Sequence, residues 1–149
     1  MIITIRTNSD NKDFQALAAE LEAELAIRDG ENHVFLAQLN KIHTLDHVVV
    51  AYSGDEPVGC GAIREYSGDS MEVKRMYVPS AQRRKGIASL LLGELERWCV
   101  ELGFTNCVLE TGRNQPEAIG FYQQHNFQTI PNFGQYIDVA NSVCFEKRL

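Results

Sequence analysis

The stretch that most constrains the fold reads Val78-Pro79-Ser80-Ala81-Gln82-Arg83-Arg84-Lys85-Gly86-Ile87-Ala88. A strand ends at its beginning, and a basic, glycine-containing turn leads directly into an amphipathic helix. The first amides of a helix have no acceptor within the helix and carry the positive end of its dipole, so they can bind a phosphate. Gly86 and the small Ala88 let a phosphate approach the backbone, and the cationic side chains add attraction. This pattern is typical of an anion site, although on its own it also fits a solvated surface turn.

The helix that follows is the clearest in the chain, because its apolar residues recur at helical spacing. These residues are Ile87, Leu90, Leu91, Leu95, Trp98 and Leu102. We expect the helix to begin near Ala81 or Gln82 and to end at Gly103, which stands where a C-cap is expected. Downstream, the pattern predicts a strand over residues 106–111, a helix over 115–125 and two further strands between 127 and 147.

Upstream of the quoted stretch, strands alternate with one long helix. Residues 1–6 predict a first strand, and Asp10 is the expected cap of a helix that runs to Gly30, with a weaker helical pattern over 34–39. Strands over 47–52 and 58–66 flank a strong turn signal, and another strand covers 71–78. Strands on both sides of the later helices predict an α/β or α+β sandwich with a largely consecutive sheet.

The composition predicts one globular domain over residues 1–149. The chain is 44% hydrophobic, which is sufficient for a sizeable core. Its net charge of -6 disfavours a nucleic-acid partner, because the phosphates would be repelled. No apolar run approaches the roughly 20 residues of a membrane span, and the start lacks the features of a signal peptide. We therefore expect a cytoplasmic protein with no membrane partner.

The cysteines and histidines show no metal-binding pattern. The four cysteines lie far apart inside apolar segments, which predicts buried free thiols, and the four histidines share no ligand spacing with them or with one another. We therefore expect no metal. The sequence Gly59-Cys60-Gly61 lacks the third glycine of a dinucleotide fingerprint, and the glycine-rich phosphate loop of nucleotide hydrolases is absent from the sequence.

The basic turn resembles the pyrophosphate-binding motif of the GNAT superfamily of N-acetyltransferases: Gln or Arg, two residues, Gly, one residue, then Gly or Ala. Arg83, Gly86 and Ala88 match it, and the resemblance extends in order from Val48 to Phe127. It implies a mixed, mostly antiparallel sheet of about six or seven strands flanked by about four helices. A bulge in the strand before the motif would open a splayed cleft for acetyl-CoA, the implied co-substrate. The residues implied to bind it are Met76, Tyr77, Val78, Arg83, Arg84, Lys85, Gly86, Ile87, Ala88 and Asn114.

Residues 114–127 resemble a second signature of the family, a helix that ends in an aromatic pair and precedes a strand. The resemblance implies that the side chain of Asn114 contacts the coenzyme A arm and that the hydroxyl of Tyr122 lies near the thioester sulfur. A phenol with a pKa near 10 can protonate a departing thiolate, so Tyr122 is the candidate general acid. The alternative is that Tyr122 is a core aromatic residue.

Glu72 is the candidate general base. It lies fourteen residues before Gly86, where several members of the family place a catalytic Glu. An alkylamine is mostly protonated at pH 7, so direct transfer requires a group that takes its proton, here through water. Burial beside the cleft would raise the pKa of such a carboxyl group. The alternative is an ordinary strand carboxylate paired with Lys74 or Arg75.

Glu110, Arg113 and Tyr136 are the candidate acceptor-binding residues, because the family builds that side of the site from the end of the fifth strand and from C-terminal loops. Glu110 with Glu65 would hold a cationic amine, whereas Arg113 would bind a carboxylate. We expect direct transfer to a primary amine of a small molecule, amino-acid-like or polyamine-like. The alternatives are a protein or peptide N-acetyltransferase and a non-catalytic sensor of acetyl-CoA, and a homodimer is also open.

Overall fold

Seven strands form one sheet in the computed structural model, which describes residues 1–29 and 44–149. The strands are β1 (Ile2–Thr7), β2 (His47–Ser53), β3 (Glu56–Ser67), β4 (Ser70–Tyr77), β5 (Asn106–Gly112), β6 (Gln128–Ile130) and β7 (Ser142–Arg148). The α-helices are α1 (Lys12–Asp29), α2 (Ile87–Glu101) and α3 (Pro116–Gln124). The described residues thus contain three helices where about four were expected, and the weak helical pattern over 34–39 lies outside them.

The strand order is β1-β2-β3-β4-β5-β7-β6, and every neighbouring pair is antiparallel except β4 with β5. This confirms the predicted mixed, mostly antiparallel sheet. The hairpin of β2 and β3 closes through Gly54 and Asp55, as the turn signal predicted. Gly54 has a φ of 61°, which glycine adopts without the strain of a side chain.

Both faces of the sheet are buried. Val48 and Val50 of β2 belong to a cluster with the apolar residues of α1, whereas Val49 and Ala51 belong to the larger cluster with α2. Successive side chains of a strand point to opposite faces, so a strand covered on both sides becomes a continuous apolar run. None of the three described helices combines the length and apolar character needed to cross a membrane.

The cap of α1 is Asn11, and the prediction of Asp10 was wrong by one position. The side-chain Oδ1 of Asn11 accepts a hydrogen bond from the backbone N–H of Phe14 at 2.8 Å. Asp10 instead donates its own backbone N–H to the side chain of Asn8 at 2.9 Å. Asn and Asp cap helices about equally well, so residue type alone does not choose between adjacent positions.

Helix α2 begins later than the sequence pattern predicted, at Ile87. Residues Ser80–Gln82 form a separate 3-10 turn, and Arg84 and Gly86 have φ angles of 65° and 79°. These left-handed conformations are incompatible with a continuous right-handed helix, so the basic turn stays outside α2. The predicted end is confirmed, because Gly103 follows the helix with a φ of 93°.

The buried face of α2 also differs from the predicted one. Leu92 is fully buried, whereas Leu90, which the pattern placed in the core, is 46% exposed. Leu102 is exposed as well. The run of three leucines at positions 90–92 allows more than one choice of face, and only the packing against the sheet decides between them.

A bulge in β4 and an early separation from β5 open the sheet. Two residues of β4, Arg75 and Met76, lie opposite the single residue Gly61 of β3, and Arg75 has a φ of 57°. A Cβ at Gly61 would meet the side-chain ends of Met76 and Leu95, so any larger residue opposite the bulge would displace these two side chains. The parallel pairing of β4 with β5 covers only residues 70–72 and 106–108. Beyond this point the two strands diverge, as the splayed cleft requires.

Candidate active site

Two cavities meet in the cleft between β4 and β5. The large cavity has a volume of about 630 Å³, and its walls are the end of β4, the basic turn, the first turn of α2, and parts of α1 and α3. The small cavity, about 140 Å³, lies between β4 and β5 deeper along the strands. Both are lined by Leu21, Met76, Gln115, Ala118 and Tyr122. The shared walls make the cavities two ends of one cleft.

The first turn of α2 supplies the anion-binding end of the large cavity. Gly86 is the N-cap residue, and no side chain caps the helix there. A Cβ at Gly86 would have no heavy atom within 4 Å beyond its chain neighbours, so the backbone is open to the cavity. The first amides of α2 thus have no side-chain acceptor and lie next to open space. A phosphate site requires both features.

Most of the predicted donor-binding residues line the large cavity. These are Met76, Tyr77, Val78, Arg83, Arg84, Gly86, Ile87 and Ala88. Lys85 and Asn114 do not line it: the Nζ atom of Lys85 donates to the side chain of Gln82 at 3.1 Å, and Asn114 is exposed between β5 and α3. The sequence did not indicate Ser89 or Gln115, which also line this cavity.

Arg83 has a structural role that the motif alone does not show. Its Nε atom donates to the carbonyl oxygen of Val78 at 2.7 Å, and one Nη atom lies 2.9 Å from each carboxylate oxygen of Glu24. The guanidinium also lies over the ring of Tyr77, with its carbon 5.9 Å from the ring centroid. These contacts hold the basic turn against β4 and α1. Arg84 is thus the cation of the motif that faces the cavity without a hydrogen bond or ion pair to a described residue.

Tyr122 stands where the two cavities join. Its ring packs edge-on against Phe121 and Phe127, and only 8% of the residue is exposed. No hydrogen bond links its hydroxyl to a described residue, yet no buried side-chain oxygen or nitrogen of that part of the chain lacks a partner. Tyr122 itself lines both cavities. Burial raises the pKa of Tyr122 above its usual value of 10, which keeps the phenol protonated.

A polar cluster, the Glu72 cluster, lies beside the small cavity and consists of the buried residues Glu72, Lys74 and Tyr136 together with the exposed Arg64. The Nζ atom of Lys74 donates to the Tyr136 hydroxyl at 2.9 Å and lies 3.5 Å from Glu72 Oε2. The Tyr136 hydroxyl donates to the same carboxylate oxygen at 3.2 Å, and Arg64 Nε is 3.6 Å from the other one. Every carboxylate oxygen of Glu72 thus has a cationic neighbour, as a buried charge requires.

Within this cluster, Lys74 is the member that lines the small cavity. Burial lowers the pKa of Lys74, and the carboxylates of Glu72 and Glu110 oppose this shift. Burial and the same two carboxylates raise the pKa of Tyr136, so its hydroxyl stays protonated. Glu72 itself is 2% exposed and does not line either cavity. The ion pair with Lys74 that the sequence left open is present.

The predicted acceptor residues separate into two groups. Glu110 lines the small cavity and accepts a hydrogen bond from the hydroxyl of Ser142 at 2.6 Å, and Tyr136 joins the Glu72 cluster. Arg113 does not line either cavity, because its Nε atom donates to the carbonyl oxygen of Ala140 at 2.8 Å. This hydrogen bond to Ala140 shows that Arg113 stabilises the loop before β7. Glu65 is exposed on β3 and lines neither cavity.

The four cysteines are buried free thiols, as the sequence predicted. Burial raises the pKa of Cys60 to about 12, and its thiol contacts the carbonyl oxygen of Arg75 in the bulge at 3.3 Å. The sulfur atoms of Cys99 and Cys107 are 3.5 Å apart, and this contact together with burial raises the pKa of Cys107. None of the four lines the cleft. No group of three or more His, Cys, Asp or Glu side chains in residues 1–29 and 44–149 could hold a metal ion.

Residues 11–127 match the model of the acetyltransferase (GNAT) family, which covers well over half of the chain, including the cleft and the basic turn. The chain belongs to the GNAT family. It is 33% identical over 101 residues to the uncharacterized N-acetyltransferase YsnE of Bacillus subtilis (strain 168), a match that covers 66% of this chain and 67% of YsnE.

Solved structures agree with this assignment. A candidate acyl-CoA N-acyltransferase from Klebsiella pneumoniae has 29% sequence identity and a TM-score of 0.84, covering 100% of this chain and 98% of that one. The PaiA N-acetyltransferase of Thermoplasma acidophilum, solved in complex with coenzyme A, shares the fold with a TM-score of 0.70 at 19% identity, covering 100% of this chain and 99% of PaiA. The GNAT protein is thus an acyl-CoA-dependent acyltransferase with acetyl-CoA as its co-substrate.

Proposed function

We propose that this GNAT protein, as a single domain over residues 1–149, transfers the acetyl group of acetyl-CoA directly to a primary amine of a small molecule. The acceptor is amino-acid-like or polyamine-like. The observation that carries the proposal is the separation of β4 from β5 after Glu72 and Val108, which joins the two cavities at Tyr122. In this arrangement the donor occupies the large cavity and the acceptor occupies the small one.

The large cavity offers separate groups for the two polar parts of the donor. The diphosphate would bind the backbone amides at the start of α2, with the cation of Arg84 beside them. The amide-containing arm would bind along the edge of β4 that faces away from β3, through backbone groups of Met76 and Val78. Tyr77, Ile87 and Ala88 complete the wall, and Lys85 and Asn114 would act only from the rim.

The reaction needs one group that donates a proton and one that accepts a proton. Acetyl-CoA supplies an activated acyl group whose leaving group is a thiolate. Tyr122 is the proposed acid, because it lines both cavities where they join and its raised pKa keeps the proton in place until the thiolate forms. Glu72 is the proposed base; it lines neither cavity, so it would act through water, and Glu110, which lines the small cavity, is the proposed partner of the amine.

The size and burial of the small cavity favour a small acceptor over a peptide. Tyr136 is 1% exposed beside this cavity, and a volume of about 140 Å³ suits a small molecule better than an extended chain. Acetylation of a protein or peptide is therefore the second possibility to be tested. A non-catalytic sensor of acetyl-CoA would need no hydroxyl at the junction of the cavities.

The test measures thiol release from acetyl-CoA with amino acids, polyamines, aminoglycosides and short peptides as acceptors, alongside calorimetric titration of coenzyme A. We expect micromolar coenzyme A binding and turnover with at least one small amine. Turnover with peptides alone would favour the protein acetyltransferase. Coenzyme A binding without transfer to any acceptor would favour the sensor and overturn the proposed activity.

A further inference from the structure

The small cavity contains charged groups of both signs at fixed places. Lys74 and Arg75 line it from β4, and Glu110 lines it from β5. The carboxylate of Glu110 favours the charged form of Lys74 and so opposes the lowering of its pKa by burial. An acceptor in this cavity would therefore meet a cation on one wall and an anion on the other.

These charges are balanced by their immediate neighbours. The positive charge of Lys74 faces the carboxylate of Glu72, whose second oxygen also has Arg64 beside it at 3.6 Å. The guanidinium of Arg75 lies 3.4 Å from a carboxylate oxygen of Glu22 on α1. Among the described residues, the cations Arg64, Lys74 and Arg75 are matched in number by the carboxylates Glu22, Glu72 and Glu110. An acceptor with one charge of each sign preserves this balance, whereas a multiply charged one disturbs it.

A polyamine is poorly suited to such a site. It would bring two or more positive charges into a small cavity that already has Lys74 on its wall. An amine that also carries a carboxylate adds no net charge. Its carboxylate can join the hydrogen-bonding network of Lys74 while its ammonium group lies toward Glu110.

We infer that Lys74 is a specificity-determining residue that binds a carboxylate of the acceptor, and that the acceptor is therefore a zwitterionic amino acid. This inference rests on the proposed function, because it narrows the acceptor class of the same cavity. The orientation follows from the geometry. Tyr122 lies at the cleft junction, so the reacting amine lies near that junction, and the carboxylate lies toward Lys74 on β4.

The experiment compares amino acids with their decarboxylated amines as acceptors. Suitable pairs are L-phenylalanine with phenethylamine and L-lysine with cadaverine, and kcat/KM is expressed per unprotonated amine because the two amines of a pair differ in pKa. We expect at least tenfold higher kcat/KM for the amino acid in at least one pair. Equal or better use of the decarboxylated amine in every pair would overturn the inference.

Variants of Lys74 then test whether this residue causes the preference for an amino acid over its decarboxylated amine. Lys74→Met removes the charge at similar length, and the ratio of kcat/KM within a pair should fall to within about threefold of one. Any general loss of activity that arises because Glu72 no longer has Lys74 as a partner cancels in this ratio. Lys74→Arg should keep at least part of the preference, and Lys12→Met on the exposed start of α1 should keep all of it. An unchanged ratio in Lys74→Met would overturn the inference.

Two further outcomes separate this inference from the proposed function. If the protein acetylates polyamines but no amino acid, the inference fails and the proposed N-acetylation of small amines stands. If no amine is acetylated, both fail. Should Lys74→Met not fold, calorimetric titration of the amino acid and of its decarboxylated amine into the wild-type complex with coenzyme A gives the same decision, with tighter binding of the amino acid expected.

Discussion

The two cavities of the cleft are built in different ways. The large cavity takes much of its wall from one continuous stretch, residues 76–89, and presents backbone amides at the start of α2. The small cavity is defined by side chains that are distant in sequence, such as Leu25, Lys74 and Glu110. Recognition of the donor thus depends mainly on the course of the backbone, whereas recognition of the acceptor depends on particular side chains.

This difference explains why the two halves are unequally specific. A diphosphate is bound by helix amides whatever the neighbouring side chains, provided that the backbone can be approached. In a charged pocket, each side-chain substitution changes which acceptor is preferred, because every buried charge requires a partner. Substitutions in the large cavity should therefore alter donor affinity alone, and substitutions in the small cavity should alter the choice of acceptor alone. Tyr122, at the junction, should alter neither form of binding.

Tyr122→Phe is expected to have the largest effect on the reaction. Loss of the proton donor should lower kcat by about 10²- to 10⁴-fold, because general acid catalysis contributes about that much. The affinity for coenzyme A should stay within about twofold. Steady-state thiol release and calorimetry measure the two quantities.

The same variant separates catalysis from folding. The hydroxyl of Tyr122 has no hydrogen-bond partner in the described part of the chain, so its removal should leave the free energy of unfolding unchanged within about 0.5 kcal/mol. Urea unfolding checks this. A kcat within threefold of the wild-type value in a fully folded variant would exclude Tyr122 as the acid.

Gly86→Ala should have the next largest effect, and only on the donor. Its φ of 79° costs a residue with a side chain roughly 1–2 kcal/mol. No atom beyond its chain neighbours lies within 4 Å of the added Cβ, so the variant introduces no clash. The turn of the free protein can relax, whereas a bound diphosphate requires the left-handed conformation. We expect the Kd of coenzyme A to rise about 5- to 30-fold, measured by calorimetry.

Gly93→Ala is the matched control, because Gly93 lies inside α2 and away from both cavities. A Cβ there would contact only Arg97, at 3.6 Å. This variant should leave the Kd unchanged and raise the free energy of unfolding by up to about 1 kcal/mol, because alanine favours a helix over glycine. Equal donor affinity in the Gly86 and Gly93 variants would contradict a backbone-based donor site.

The sequence predicted the fold where local pattern and topology agree. The strand, turn and helix around Gly86 could be predicted because glycine, basic residues and apolar spacing lie next to one another. The start and buried face of α2 could not, because the leucines at positions 90–92 permit several faces and the left-handed conformation of Arg84 has no signature in the residue type. Packing against the sheet decides these features.

The site shows the same division. The part of the large-cavity wall within residues 76–88 was largely predicted because those residues are contiguous, but the contact of Arg83 with Glu24 depends on how α1 packs. The contact between Lys74 and Tyr136 joins positions 62 apart and could not be predicted from spacing. One signal was available, since Glu72 and Lys74 occupy alternate positions of an apolar strand and therefore point to the same face.

Glu110→Gln should give the smallest effect and should be confined to the acceptor. Glutamine keeps the shape and can still accept the hydrogen bond from Ser142, now 2.6 Å long, so the fold should be maintained. Only the negative charge that faces the amine is removed. An ion pair in a partly solvated cavity contributes about 1 kcal/mol, so we expect the KM of the acceptor to rise about fivefold.

Glu146→Gln provides the comparison for this prediction, because Glu146 is exposed on the neighbouring strand β7 and lines neither cavity. It removes the same charge at a distance, and the KM of the acceptor should not change. The Kd of coenzyme A should be the same in both variants and in the wild type. If Glu110→Gln weakens coenzyme A binding as much as acceptor binding, the two cavities do not act as separate sites. If it changes neither, the amine is held elsewhere, and the proposed orientation of the acceptor between Lys74 and Glu110 must be reversed or abandoned.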